Sequence, residues 1–281
     1  MRQFTQIKEI KAYLRQRQSE GKSIGLVPTM GYLHGGHLSL IRRSVAETDV
    51  TIVSIFVNPI QFGPAEDLEK YPRNLAGDLD LLRQTGAVAV FTPGANEMYG
   101  DNYLTHVQVD KITDILCGPF RPGHFRGVAT VVTKLFNIVR PDKAYFGQKD
   151  GQQAMVIKKM AQDLNMDVEI VVCPTLREAD GLAMSSRNTY LNAEERNQAT
   201  VLYQALTAAR KLIQSGVTDV ARVKRQMEEM IKSKSMAAIE YISLVDASSL
   251  REIAQVTGPV MIALAVRFGA TRLIDNILVE G

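Results

Sequence analysis

Two histidines three residues apart, His34 and His37, lie in the run Met30-Gly31-Tyr32-Leu33-His34-Gly35-Gly36-His37, and only four histidines occur in the 281 residues. That spacing puts both imidazoles on one side of a first helical turn. Ring N–H groups can donate to phosphate oxygens and stabilise the charge that develops during phosphoryl transfer. The glycines at 31, 35 and 36 let backbone N–H groups come close to an anion, and a helix opening here would offer orphan donors and partial positive charge. The plainer alternatives are a surface pair of histidines or half of a metal site. Zinc is disfavoured, because no third ligand of the HExxH kind accompanies the pair.

Four further clusters carry polar chemistry. Asn58-Pro59-Ile60-Gln61-Phe62 offers two amides, or simply an Asn-Pro turn. Arg121-Pro122-Gly123-His124-Phe125-Arg126-Gly127 suits an anion, although Arg-Pro-Gly is also ordinary turn chemistry. In Tyr145 to Gln153, Lys149 can act as a point charge on phosphate; solvated helix-start composition is the plain reading. Gly181 to Asn188 holds Ser185, Ser186 and Arg187 in a loop able to close over a polyphosphate, or to cap a helix. Two other nucleotide devices are excluded. Gly21-Lys22-Ser23 imitates the end of a phosphate-binding loop, but Gln16 stands where its first glycine belongs, and no GxGxxG follows a strand.

These clusters must be positioned by the elements between them. Ile24 to Pro28 and the β-branched Val50 to Val57 read as buried strands. The stretch after His37 reads as a helix, as does Asn74 to Gln84, with Ala87 to Pro93 a strand. Val128 to Val139 is apolar nearly all round and predicts a buried helix. Lys143 to Gly147 predicts a strand, Gln152 to Leu164 a helix and Val168 to Pro174 a strand. Such alternation argues for a parallel sheet covered on both faces, with the His34 loop at the carboxyl end of its strand, where ligands bind. Beyond about Arg187 the pattern changes. Asn192 with Glu195 signals a helix start, and one helix is expected to Gly216. A second helix follows, then two extended runs and the tail Leu273 to Val279, suggesting a smaller α+β domain.

Composition sets the outer limits. With 46% hydrophobic and 22% charged residues, the chain is ordinary globular material. Its net charge of +3, without a basic cluster, suits an anionic small molecule and disfavours nucleic acid. Cys117 and Cys173 are far apart and build neither a disulfide framework nor a zinc site. No apolar run approaches the ~20 residues that span a bilayer, and the charged amphipathic start is unlike a signal peptide. A cytoplasmic protein is expected.

Taken together, Pro28–His37, Phe56–Gly63, Arg121–Val132, Pro141–Gln153 and Arg177–Asn188 resemble the motifs of the pantoate–β-alanine ligase family. The family belongs to the nucleotidyltransferase superfamily with class I aminoacyl-tRNA synthetases. Met30 to His37 looks like their HIGH element and Met184 to Asn188 like a shortened KMSKS element.

The resemblance implies a Rossmann-like α/β domain over residues 1–175 and a smaller α+β lid domain over 176–281. It implies condensation of pantoate with β-alanine driven by ATP and Mg²⁺, through a pantoyl-adenylate, in a homodimer. Carried over by motif, His37 is the catalytic histidine, with His34 and Lys149 beside it on the phosphates. Met30, Gly31, Tyr32, Leu33, Gly35 and Gly36 would line ATP, as would Gly147, Gln148 and Asp150, with Leu176, Met184, Ser185, Ser186 and Arg187 closing over it. Gln61 and Gln153 would hold pantoate, with Gln61 reaching toward β-alanine. Asn58, Arg121 and His124 are lesser candidates for the acid and amine, and no protein metal ligand is implied. The chain departs from the family at Gln148, where Glu is usual, at Gly36, where an acid is common, and at Tyr32, which replaces a smaller or polar residue.

Overall fold

A computed structural model describes residues 1–64 and 66–280. Arg2–Phe4 (β1), Ile24–Thr29 (β2), Val50–Ile55 (β3), Ala89–Phe91 (β4), Lys143–Gly147 (β5) and Glu169–Cys173 (β6) form one parallel sheet, ordered β1-β4-β3-β2-β5-β6. Ile7–Ser19 (α1), Gly35–Glu47 (α2), Leu75–Arg83 (α3), Ala95–Tyr99 (α4), His124–Val139 (α5) and Gly151–Asp163 (α6) connect its strands. Side chains alternate between the faces of a strand, and the core divides accordingly. Ile24, Leu26, Ile52 and Phe91 meet Ile10, Leu14 and the apolar flank of α5, while Val27, Val53 and Val90 meet Leu40, Ile41 and Leu82 from α2 and α3. The expected doubly covered parallel sheet is therefore present. From β2 the chain moves to β3 on one side and later returns to β5 on the other. The carboxyl end of β2 is thus the topological switch point, where α/β sheets open a crevice for ligands.

The structure differs from the sequence reading at some edges. β3 stops at Ile55, two residues early, as the chain turns toward Asn58 and Pro59, a residue without an N–H for a ladder. The buried helix opens at His124, four residues early.

Two compact units emerge. One comprises Met1–Thr113, Arg121–Gly147 and Gln153–Cys173; the other comprises Asp114–Phe120, Gln148–Gln152 and Pro174–Gly281. In the second, Ala193–Ala199 (α7), Val201–Gln214 (α8) and Val220–Lys232 (α9) precede the antiparallel strands Ala237–Asp246 (β7), Val260–Phe268 (β8) and Thr271–Val279 (β9), ordered β7-β8-β9. Leu202, Leu206, Val223 and Met227 pack against Ile242, Leu244, Ile262 and Leu264 in a separate core. The capping box at Asn192 and Glu195 forms as expected, but the single helix is broken at Thr200. There the Oγ1 donates to the Asn197 carbonyl at 2.8 Å, a back-bond that bends helices. The tail Leu273 to Val279, given no element from the sequence, belongs to the third strand. Among the described residues no helix is long and apolar enough to cross a membrane.

Candidate active site

Beyond β2 the chain turns through two consecutive left-handed residues, Gly31 (φ 81°) and Tyr32 (φ 51°). An aromatic residue there is strained unless its surroundings hold it. Asp78, 3% exposed on α3, does so: its carboxylate accepts the N–H groups of Tyr32 at 2.9 Å and Leu33 at 2.7 Å. Burial pushes that carboxyl upward against the pull of the two backbone bonds.

The loop then closes onto α2 through its own histidines. His34 is the N-cap; its Nδ1 accepts the Gly36 N–H at 3.2 Å, while Nδ1 of His37 accepts the His34 N–H at 3.3 Å. The ring centroids are 4.1 Å apart. A ring nitrogen that accepts an N–H does not carry the proton itself, so each neutral imidazole bears its hydrogen on Nε2. The N–H groups of Gly31, Tyr32, Leu33, His34 and Gly36 are all engaged within the protein. Of the three glycines expected to offer backbone donors, Gly31 has its N–H on Thr29 Oγ1 and Gly36 on His34.

Gln61 is held from two directions in the same unit. Asn58, 1% exposed, donates through Nδ2 to the Gly127 carbonyl at 3.1 Å and to Gln61 Oε1 at 2.9 Å. A carbonyl can only accept, which settles which end of the Asn58 amide faces it. The Tyr99 hydroxyl donates to Asn58 Oδ1 at 2.6 Å. Gln61 therefore turns its Nε2 away from Asn58, and that nitrogen donates to Met30 Sδ at 3.2 Å. Its backbone carbonyl takes the Nδ1 proton of His124 at 2.9 Å, and His124 Nε2 faces Arg121 Nη1 at 3.1 Å. The Arg121 guanidinium makes a two-pronged ion pair with Glu66. Burial raises the Glu66 carboxyl, but the Arg121 hydrogen bonds and charge outweigh it, and the net shift is downward. α5 can approach this turn only because residue 127 is glycine: a Cβ would lie 2.4 Å from the Ile60 carbonyl oxygen.

Several of the predicted residues lie in the second unit. Lys149 and Asp150 follow β5 in a 3-10 turn with Gln148, the lysine Nζ 3.5 Å from the Asp150 carboxylate. Ser185 caps the turn Ser186–Tyr190 by accepting the Arg187 N–H at 3.3 Å. Leu176 accepts the Met184 N–H at 3.0 Å, closing the loop into a hairpin. Of the paired glutamines, Gln152 bonds the backbone of Ile115 and Cys117, while Gln153, half-buried, lies in the first turn of α6. Gly147 ends β5 opposite Cys173.

Asp78, Glu66 and Tyr99 escaped sequence reasoning. A signal existed for Asp78, a carboxylate four residues before Leu82 on a buried helical stripe. A cleft of about 290 Å³ opens at the carboxyl ends of β2, β3 and β4, with Met30, Gly31, Val57, Asn74, Asp78 and Thr92 in its wall. Among the described residues no group of three or more His, Cys, Asp or Glu is arranged to hold a metal ion.

A parallel sheet with a helix capped by paired imidazoles at its switch point is the framework of an α/β enzyme with its ligand crevice at the strand ends. The profile of the Pantoate-beta-alanine ligase family matches residues 2–278. The chain is 58% identical to the pantothenate synthetase of Caldicellulosiruptor saccharolyticus over 274 residues, 98% of each chain. It superposes on the crystal structure of pantothenate synthetase from Thermus thermophilus with a TM-score of 0.94, at 44% identity and 99% coverage of both chains. The pantoate-beta-alanine ligase of Francisella tularensis, complexed with beta-gamma ATP and beta-alanine, matches with a TM-score of 0.81 at 34% identity, over 99% of this chain and 97% of that one. The chain belongs to the pantoate–β-alanine ligase family, and its activity is the joining of those two acids by an amide bond.

Proposed function

We propose that the chain makes pantothenate in two steps on ATP, through a pantoyl-adenylate. A pantoate carboxylate oxygen attacks the α-phosphorus, and the bond to pyrophosphate breaks. The β-alanine amine then attacks the activated acyl carbon and loses a proton as AMP departs with that oxygen. A carboxylate is a poor acyl donor, and adenylylation supplies the leaving group. The enzyme's task is to position reactants and offset phosphate charge.

The observation that carries this reading is the reciprocal imidazole cap at the end of β2, which sets Nε2–H donors on His34 and His37. His37 would stabilise the α-phosphoryl transition state, with His34 and Lys149 on the remaining phosphates. Met30 to Gly36, Gly147, Gln148, Asp150 and Leu176 would line the nucleotide, with Met184 to Arg187 closing as a lid from the second domain. Gln61 turns an amide donor outward from Asn58, which matches a carboxylate or hydroxyl oxygen of pantoate better than an ammonium; Gln153 would complete that pocket. Arg121 and His124 would act by holding Gln61. Mg²⁺ would be carried on the ATP phosphates, where a hard cation offsets their charge. We also take the protein to be cytoplasmic, which its two free cysteines suit, and to work as a homodimer, as the family resemblance suggests.

The decisive assay omits β-alanine. Labelled pyrophosphate should exchange into ATP only when pantoate is present, and free AMP should accumulate only once β-alanine is added. Release of ADP and phosphate, or exchange without pantoate, would overturn the adenylate route.

A further inference from the structure

We propose that Asp275 and Asn276, neighbours on β9, are positioning residues that align the Lys149 turn and the loop leading to Ser185–Arg187 for ATP; the inference rests on the reading that these segments serve the nucleotide. Both side chains are almost wholly buried, at 3% and 5% exposure. Strand alternation places Asp275 on the inward face beside Leu273. Asn276, the next residue, points to the opposite face, and a carboxylate and an amide so buried must find partners or destabilise the fold.

Asn276 finds them in the Lys149 turn. Its Nδ2 donates to the carbonyls of Gln148 at 2.8 Å and Lys149 at 2.9 Å, and its Oδ1 accepts from Gln148 Nε2 at 2.7 Å. Both ends of one amide are thus committed to two consecutive residues. The peptide that carries Lys149 is tied to a strand instead of floating at the end of β5. This also gives Gln148 a role: the amide donor at its tip meets an amide oxygen, a pairing that a glutamate there could make only as an acid.

Asp275 serves the second segment. It accepts both guanidinium nitrogens of Arg177, at 2.6 and 3.0 Å, in the bidentate geometry that adds direction to charge. Arg177 also donates to the Gly181 carbonyl at 3.1 Å and lies 4.0 Å from the centre of the Tyr203 ring. A bridge from Arg177 to Ala183 completes the hairpin whose end is Met184. Adjacent residues of one strand thereby place two separate nucleotide segments in a common frame. Displacing a reacting or charge-bearing group by as little as ~1 Å can cost about 100-fold in rate.

The test compares full-length wild type with Asn276→Asp, Asn276→Ser and Asp275→Asn in pantoate-dependent pyrophosphate exchange. Asn276→Asp keeps the shape but turns an oxygen toward two carbonyls; Asn276→Ser replaces it should the aspartate variant not fold. The expected result is a rise in KM for ATP and a ~10–100-fold fall in kcat/KM for ATP, with KM for pantoate unchanged. A purely structural role would lower the active fraction and leave both KM values alone. Wild-type KM for ATP in folded Asn276 and Asp275 variants would overturn the inference alone. Absence of exchange in the wild type would instead overturn the adenylylation reading and the inference with it.

Discussion

His37 does two things with one ring: Nδ1 receives the His34 N–H, and Nε2 carries the proton that would meet phosphate. Replacing it by alanine should reduce pantoate-dependent exchange by on the order of 100-fold or more, the cost of one transition-state donor, with the far-ultraviolet circular dichroism unchanged. Wild-type exchange in that variant would remove His37 from the mechanism. His34→Ala should behave differently, since it also strips the N-cap from α2. Stability should drop by ~1 kcal/mol beyond the His37 variant, as for other lost caps, measured by denaturant midpoint. Asp78 was invisible to motif reading, yet two buried backbone donors depend on it. For Asp78→Ala the expectation is a loss of about 1–3 kcal/mol per stranded donor, together with a higher KM for ATP. The histidine spacing was legible because it is local. The tautomers and the Asp78 clamp were not, because they depend on contacts made only once the chain has turned.

At the scale of elements, the turn Pro59–Gln61 and the start of α5 act as one piece. Gly127→Ala would press a methyl group into the Ile60 carbonyl. Overpacking of this kind costs about 1–3 kcal/mol, and here it should also raise KM for pantoate, because Gln61 is what the turn displays. An unaltered pantoate KM in a folded Gly127→Ala variant would detach the turn from substrate selection. The Glu66–Arg121 pair adds a pH dependence. The Glu66 carboxyl lies below its ordinary value when folded, so its contribution is present above that ordinary value and is lost as the pH falls through the lowered one. Acid unfolding of Glu66→Gln should accordingly show a shallower decline at the acid end than wild type. Arg121 and His124 were legible as an unusual cluster before a helix. Their task was not, since Glu66 and the Gln61 carbonyl come to them from a separate part of the chain.

Across the whole molecule, binding of Mg–ATP to the folded chain but not the unfolded one should raise unfolding free energy by ~2.7 kcal/mol at a hundred times Kd. Thermal shift with ATP, and with pantoate added separately, would check that expectation; no shift at saturating nucleotide would count against ATP as substrate. Periodicity and contiguous motifs were enough to dictate the alternating strands and helices, the loop at Met30–His37, the change of character after residue 187 and the membership of a ligase family. Folding in three dimensions settled which amide end Gln61 presents, where Asp78 and Glu66 act, and that the tail closes a sheet whose Asp275 and Asn276 grip Arg177 and the Lys149 turn. The physical reason is range. Propensity and motif are read within a few residues, whereas a buried polar group takes its partner from whatever folding places beside it: Asn276 reaches Lys149 across 127 residues.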